Sequence, residues 1–381
     1  MQLPIVIIGT GLAGYQLARE FRRLNQKTPL TIITADEGES YPKPQLSTAL
    51  TQGKTSTSLI SASAEAMAIQ LNATIITKCP ITALDIPNNA VLIRDEPLHY
   101  QSLVLACGAE VIKPQLKGSG AKEVLSVNHI YHYATFQELI RNKKTIAILG
   151  AGLIGCEFAN DLSNAGYKVH VIAPAKAPLD LLIPENIGKI LQTALEENNV
   201  TFHLGCTATR VEKMINGYNL ELTNGNELEV DFVLSAIGLK PHIELAEKSE
   251  IKTSRGILVN RYLETSVKNI YALGDCAEVE GHVLPYIAPI LNCAKALAQT
   301  LNGNPTPVLY PAMPVVVKTP AHPIAVCPPP KGMPGEWMIE TKENDTYALF
   351  YNQDKNLAGF VLTNNAVKER ATYAKQLPSL I

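Results

Sequence analysis

Apolar positions fall in short β-branched runs that stop at glycine, and this pattern occurs twice. Ile5-Val6-Ile7-Ile8 runs into Gly9-Thr10-Gly11-Leu12-Ala13-Gly14, and Thr145-Ile146-Ala147-Ile148-Leu149 runs into Gly150-Ala151-Gly152-Leu153-Ile154-Gly155. Each run is too short for a helix and suits a buried strand, while the residues after the glycines have helical spacing. Leu30-Thr31-Ile32-Ile33 and Lys168-Val169-His170-Val171-Ile172 then close each unit as a second strand. A βαβ unit is therefore expected twice.

Between the units, residues 38–60 are rich in Gly, Ser, Pro and Thr, and a short helix and strand pairs lead to Leu103-Val104-Leu105-Ala106-Cys107-Gly108. Residues 304–334 hold ten prolines, a density that helices and central strands exclude, so this stretch reads as a boundary. Beyond it, Trp337–Glu340, Tyr347–Tyr351 and Leu357–Leu362 read as strands and Asn365 to Gln376 as a closing helix, together a small α+β domain. At 381 residues the chain should hold two or three domains.

Composition narrows the function. Apolar residues make up 46% and charged residues 18%, ample for burial and contrary to long disorder. A net charge of −2 supplies no basic field for nucleic acid or an anionic membrane. The N-terminal run has no basic lead and no small-residue cleavage site, and no apolar run approaches the ~20 residues of a membrane span, so a cytoplasmic location is the default. The seven cysteines are scattered, with no CxxC or CxxxxC; they read as reduced structural thiols, and no metal ligand set is apparent.

The glycines carry chemistry. A Cβ at the first would block the tight turn, at the second would hold the backbone off a diphosphate, and at the third would push the helix off the strand. The diphosphate sits on unpaired amides at the positive helix end, so two such turns imply two dinucleotides. An acidic residue past the second strand should accept the ribose hydroxyls. Asp36 and Glu37 both stand there in the first unit, Asp36 being favoured, while the second unit has Ala173-Pro174-Ala175 with Lys176 beyond.

These motifs resemble the two-dinucleotide flavoprotein reductases related to glutathione reductase, in the branch of the ferredoxin and rubredoxin reductases. Leu103-Val104-Leu105-Ala106-Cys107-Gly108-Ala109 is similar to the segment where that family's chain leaves the FAD domain, and Asp231 to Pro241 to the segment where it returns. Asn269-Ile270-Tyr271-Ala272-Leu273-Gly274-Asp275-Cys276-Ala277 resembles the motif whose aspartate binds the ribityl chain. Ser40-Tyr41-Pro42-Lys43-Pro44-Gln45-Leu46-Ser47 and Met313-Pro314-Val315-Val316-Val317-Lys318-Thr319-Pro320 are similar to the rubredoxin reductases in particular.

The resemblance implies an α/β fold of two Rossmann-like domains plus the small α+β domain. The FAD domain would take residues 1–110 and 241–308, the NAD domain 111–240 and the C-terminal domain 309–381. It implies FAD contacts from Gly9, Thr10, Gly11, Leu12, Ala13, Gly14, Thr34, Ala35, Asp36, Lys43, Ile81, Gly108, Gly274, Asp275 and Lys318, and an NADH site at Gly150, Gly152 and Gly155. Lys43 would stand near the flavin N5 with Glu157 as its ionic partner, and Lys318 would close over the ring's pyrimidine edge. Many ferredoxin reductases carry a lysine directly after the Leu-Ser pair; this chain has Thr48 there. Residues 40–48 lack the cysteines of disulfide reductases, CoA-disulfide reductases and NADH oxidases, so electrons should leave the flavin directly. The expected activity is NADH-driven reduction of rubredoxin, an acidic iron–sulfur protein, in supply of an alkane hydroxylase system. A local basic surface should steer that partner, with Lys43, Lys318, Arg22, Arg23 and Lys27 as candidates. A ferredoxin or flavorubredoxin reductase or a small-quinone diaphorase is the alternative, and a regulatory flavoprotein ranks last.

Overall fold

The computed structural model describes residues 2–381. β1 (Ile5–Ile8) leads through the first glycine turn into α1 (Leu12–Leu24), then β2 (Leu30–Ile33), β3 (Thr74–Ile76) and β4 (Ser102–Leu105). After α2 (Ile130–Ile140) the second unit runs β5 (Thr145–Leu149), α3 (Leu153–Asn164), β6 (Lys168–Ala173), β7 (Val200–Leu204) and β8 (Phe232–Ser235). β9 (Ile270–Ala272) and α4 (Ile287–Leu301) precede β10 (Val315–Val317), β11 (Ile324–Cys327), β12 (Gly335–Lys342), β13 (Asp345–Asn352) and β14 (Leu357–Thr363).

The first sheet is parallel in the order β9-β4-β1-β2-β3, so the chain leaves it after β4 and returns to its edge at Ile270. The second is parallel in the order β7-β6-β5-β8. Helices cover both faces of such sheets, which is why β1 and β2, apolar except for Thr31, are buried at every position. The third sheet is antiparallel in the order β10-β11-β14-β13-β12, and β13 alternates buried and half-buried side chains as a strand with one open face does.

Two expectations need correction. The proline-rich stretch is more than a boundary, because β10 and β11 lie inside it; the prolines flank both strands, and none falls where a ladder amide is needed. The closing helix is a 3₁₀ turn, Asn364–Glu369, followed by a helix of only Arg370–Ala374. Ala366 is the one fully buried side chain in that segment, too little apolar anchorage to propagate a longer helix.

Within the second sheet His170 and His203 face each other on β6 and β7, with Nδ1 of His170 3.0 Å from Nε2 of His203. Burial, with His203 and Lys168 adding repulsion, pushes His170 down to about 4. The unfolded chain takes up that proton near pH 6.5. Stability from the neutral pair is therefore fully present above about pH 6.5 and is lost as pH falls toward 4. Thermal melts from neutral pH down to about pH 4.5 should show wild type losing roughly 1–2 kcal/mol more than His170→Leu. Parallel curves for the two proteins would refute the assignment.

Candidate functional site

Three segments converge where β1 ends. A Cβ on Gly9 would lie 2.3 Å from the carbonyl oxygen of Ala106, and one on Gly274 would lie 2.7 Å from the Cβ of Ala13. The first glycine turn, the Ala106–Gly108 exit of β4 and the Gly274–Asp275 turn after β9 are thus packed closely against one another. A Cβ on Gly11 would meet nothing within 4 Å, so the middle of the turn faces open space. The second turn repeats this: a Cβ on Gly150 would lie 2.6 Å from the Ala236 carbonyl, while Gly152 again faces open space. Both cradles sit at the carboxyl ends of parallel strands, beside the central strand from which the order runs both ways.

Asp275 gives the first cradle a polar anchor. Its Oδ1 is buried and has no hydrogen-bond partner, a state native structures rarely leave unexplained. Burial raises its affinity for a proton, with Lys43 opposing, and burial lowers that of Lys43, with Asp275 opposing. The two groups therefore share one recess. An FAD fits these residues: a helix N-terminus for the diphosphate and an orphaned acceptor for a polyol hydroxyl.

Asp36 and Glu37 have separate fates. Glu37 turns outward to Lys78 at 3.0 Å, both side chains exposed. Asp36 turns toward the cradle, where Oδ1 accepts from Thr34 Oγ1 (2.7 Å), Thr10 Oγ1 (3.4 Å) and the Gly38 amide (3.0 Å), and Oδ2 lies 2.9 Å from Nε2 of His129. Burial alone would push Asp36 up; the hydrogen bonds from His129, Thr34 and Gly38 outweigh it and hold the carboxyl well below the usual range. Thr10 and Thr34 are themselves bonded at 3.0 Å. Ala35 is exposed beside them, and Ile81 packs on the core of the first sheet.

The expected pairing of Lys43 with Glu157 is not what the side chains do. Glu157, fully buried on α3, pairs with Lys318, whose Nζ lies 3.0 Å from Oε2 and whose amide donates to Oε1 at 3.1 Å. Ser47 Oγ also donates to Oε2, and Lys318 Nζ donates to the carbonyl of Pro44. Lys318 arrives from just beyond β10 and bridges Glu157 and the 3₁₀ turn Lys43–Gln45. One buried carboxylate thus gathers residues from all three sheets' surroundings.

Sequence reasoning passed over Ser47, His129, Asn160 and Asp161. The available signal was polar side chains at i, i+3 and i+4 in α3, whose sequence is otherwise apolar around them; Glu157, Asn160 and Asp161 are all buried, and buried polar groups need partners. Two candidates for a basic docking surface also fall away. Arg22 is buried, its guanidinium donating to the carbonyls of Leu71, Asn25, Thr28 and Asn72, and Arg23 pairs with Glu20 at 2.8 Å. Both lie with Lys27 at the far end of α1, about 20 Å of helix from the glycine turn. Among the described residues no cysteine pair is bonded, no metal-binding cluster of three occurs, and no helix is long and apolar enough to cross a membrane. Burial pushes the Cys276 thiol up to about 11 and that of Cys107 higher still, away from thiolate reactivity.

Comparison with known proteins follows this geometry. Residues 3–299 match the pyridine nucleotide-disulphide oxidoreductase family, and residues 307–377 match the rubredoxin binding C-terminal domain. The chain is 47% identical over 379 residues to a rubredoxin-NAD(+) reductase of Alcanivorax borkumensis, covering 99% of both chains. It is 37% identical over 377 residues to a nitric oxide reductase FlRd-NAD(+) reductase of Aliivibrio fischeri, again covering 99% of both. Its fold superimposes on a ferredoxin reductase from Rhodopseudomonas palustris with a TM-score of 0.88, at 22% identity, covering 96% of this chain and 92% of that one.

Proposed function

Because the chain belongs to the pyridine nucleotide-disulphide oxidoreductase family, we propose that it takes hydride from NADH onto bound FAD and passes the electrons to rubredoxin in the cytoplasm. The observation that carries this reading is the reach of Lys318 out of the rubredoxin-binding segment onto Glu157. The segment that matches an acceptor-docking domain is thereby built into the wall of the redox site.

In this reading residues 1–110 and 241–308 form the FAD domain, 111–240 the NAD domain and 309–381 the acceptor domain. Gly9, Thr10, Gly11, Leu12, Ala13 and Gly14 cradle the FAD diphosphate, with Thr34, Ala35 and Asp36 at the ribose and Asp275 and Gly274 at the ribityl chain. Lys43, Gly108, Glu157 and Lys318 stand toward the ring, Ile81 is a further FAD contact, and Gly150, Gly152 and Gly155 hold the NADH diphosphate. Bound FAD supplies two-electron uptake and one-electron release. The chain's work is orientation and electrostatics: Lys43 and Lys318 bring positive charge to the recess, and Glu157 fixes Lys318 in place. No guanidinium follows Ala173, and the exposed Lys176 is a point charge without a fork for a 2′-phosphate, which favours NADH. A rubredoxin-dependent alkane hydroxylase is the downstream system proposed.

Steady-state turnover with NADH and purified rubredoxin tests the reading. Rubredoxin reduction should outpace that of a plant-type ferredoxin by at least tenfold and should slow several-fold as ionic strength rises from about 0.02 M to 0.3 M. Equal rates for the two acceptors at low salt would reject rubredoxin and turn attention to flavorubredoxin, which the 37% identical relative favours.

A further inference from the structure

α3 follows the second glycine turn, yet its polar face points away from that turn's cradle and into the flavin-side loop. Asp161, buried to 4% exposure, accepts the amide of Leu50 on Oδ2 at 2.9 Å and the amide of Thr51 on Oδ1 at 3.0 Å. Its own carbonyl accepts from Thr51 Oγ1 at 3.1 Å. Asn160 Oδ1 accepts the amide of Ala321 at 3.0 Å, three residues beyond Lys318. With Glu157 one turn earlier, three side chains at i, i+3 and i+4 clasp residues 47–51 on one side and 318–321 on the other. A buried carboxylate satisfied by two backbone amides is a short, charge-assisted and directional contact, and it is made to a loop with little regular structure of its own. That loop begins at the turn carrying Lys43.

We propose that Asp161 is a positioning residue for hydride transfer. It registers the loop 43–51, and with it Lys43, against the helix of the second dinucleotide cradle, while Asn160 registers the Lys318 segment on the same helix. Two sites on separate sheets must be held to within a fraction of an ångström for hydride to pass, and a displacement of about 1 Å costs on the order of 100-fold in rate. The glycine turns alone cannot supply that register, since each is tied only to its own sheet. This inference rests on the NADH-to-FAD reading above.

The test uses the full-length FAD-loaded protein, with two readouts: the limiting rate of flavin reduction by NADH in stopped flow, and amide hydrogen exchange at Leu50 and Thr51. Asp161→Ala should keep its FAD content and its NADH Kd within threefold, expose the two amides to faster exchange, and lose at least tenfold in limiting rate. Asp161→Asn, which keeps one acceptor oxygen and sets an amide N–H₂ against the other donor, should fall between wild type and Asp161→Ala. Thr51→Val, the milder change that removes only the hydroxyl bond, should lose two- to fivefold and serves where Asp161→Ala does not fold. Faster exchange at Leu50 and Thr51 with a limiting rate within twofold of wild type in these variants would overturn the proposal, leaving Asp161 a purely structural staple. A wild-type protein whose flavin NADH does not reduce would overturn the underlying reading, and the inference with it.

Discussion

Gly14→Ala should yield a colourless, poorly stable chain, whereas Gly155→Ala should stay yellow and lose its response to NADH. A Cβ on Gly14 would lie 1.9 Å from the Gly9 carbonyl oxygen, and one on Gly155 would lie 2.1 Å from that of Gly150. Neither neighbour is a flexible side chain that can swing aside; each is the backbone of the turn that must grip a diphosphate. The helix has to withdraw from its strand by more than 1 Å, and overpacking of this kind costs about 1–3 kcal/mol or more. Withdrawal also carries the helix N-terminal amides away from the anion they would hold. The two substitutions are geometrically equivalent, so their difference reports which cradle holds which nucleotide. For Gly14→Ala the expected result is less than a tenth of the wild-type flavin content and a marked fall in Tm. For Gly155→Ala it is normal flavin content with a loss of about 100-fold or more in kcat/KM for NADH. A Gly155→Ala protein that loses flavin while Gly14→Ala retains it would reverse the assignment of the two sites.

The twin cradles were legible because their chemistry is backbone chemistry: the first and third glycine of each turn are required by contacts of 1.9–2.6 Å that no other residue permits, while the middle one faces open space, and such requirements appear directly as letters. Asp275 was legible for a related reason, standing one residue after a glycine of positive φ at a strand end. The side-chain network was not. Whether Lys43 or Lys318 meets Glu157 depends on how β10 docks across a 161-residue separation, and no local pattern encodes that. Thr48 leaves no lysine directly after Leu46-Ser47, and the structure brings Glu157 its cation from Lys318 instead. Arg22 failed as a docking residue because four backbone carbonyls at a helix end claim it, a demand invisible until the chain is folded.

Lys318→Met should produce a stability defect that Glu157→Gln relieves. Glu157 is fully buried, and in the wild type its charge is balanced by the Lys318 ammonium, with Ser47 and the Lys318 amide completing its hydrogen bonds. Removing the ammonium leaves a carboxylate with two neutral donors and no cation, and breaking one side of a buried pair costs about 3–5 kcal/mol. The lower end applies here, because Lys318 itself is 38% exposed and part of its charge is already solvated. Denaturant unfolding should therefore show Lys318→Met about 3 kcal/mol below wild type at pH 8. Adding Glu157→Gln to Lys318→Met should recover at least half of the loss at pH 8, since the double variant buries no unpaired charge. A defect unrelieved by Glu157→Gln would mean that Lys318 contributes through packing of its methylene stem against the Lys43–Gln45 turn and not through its charge.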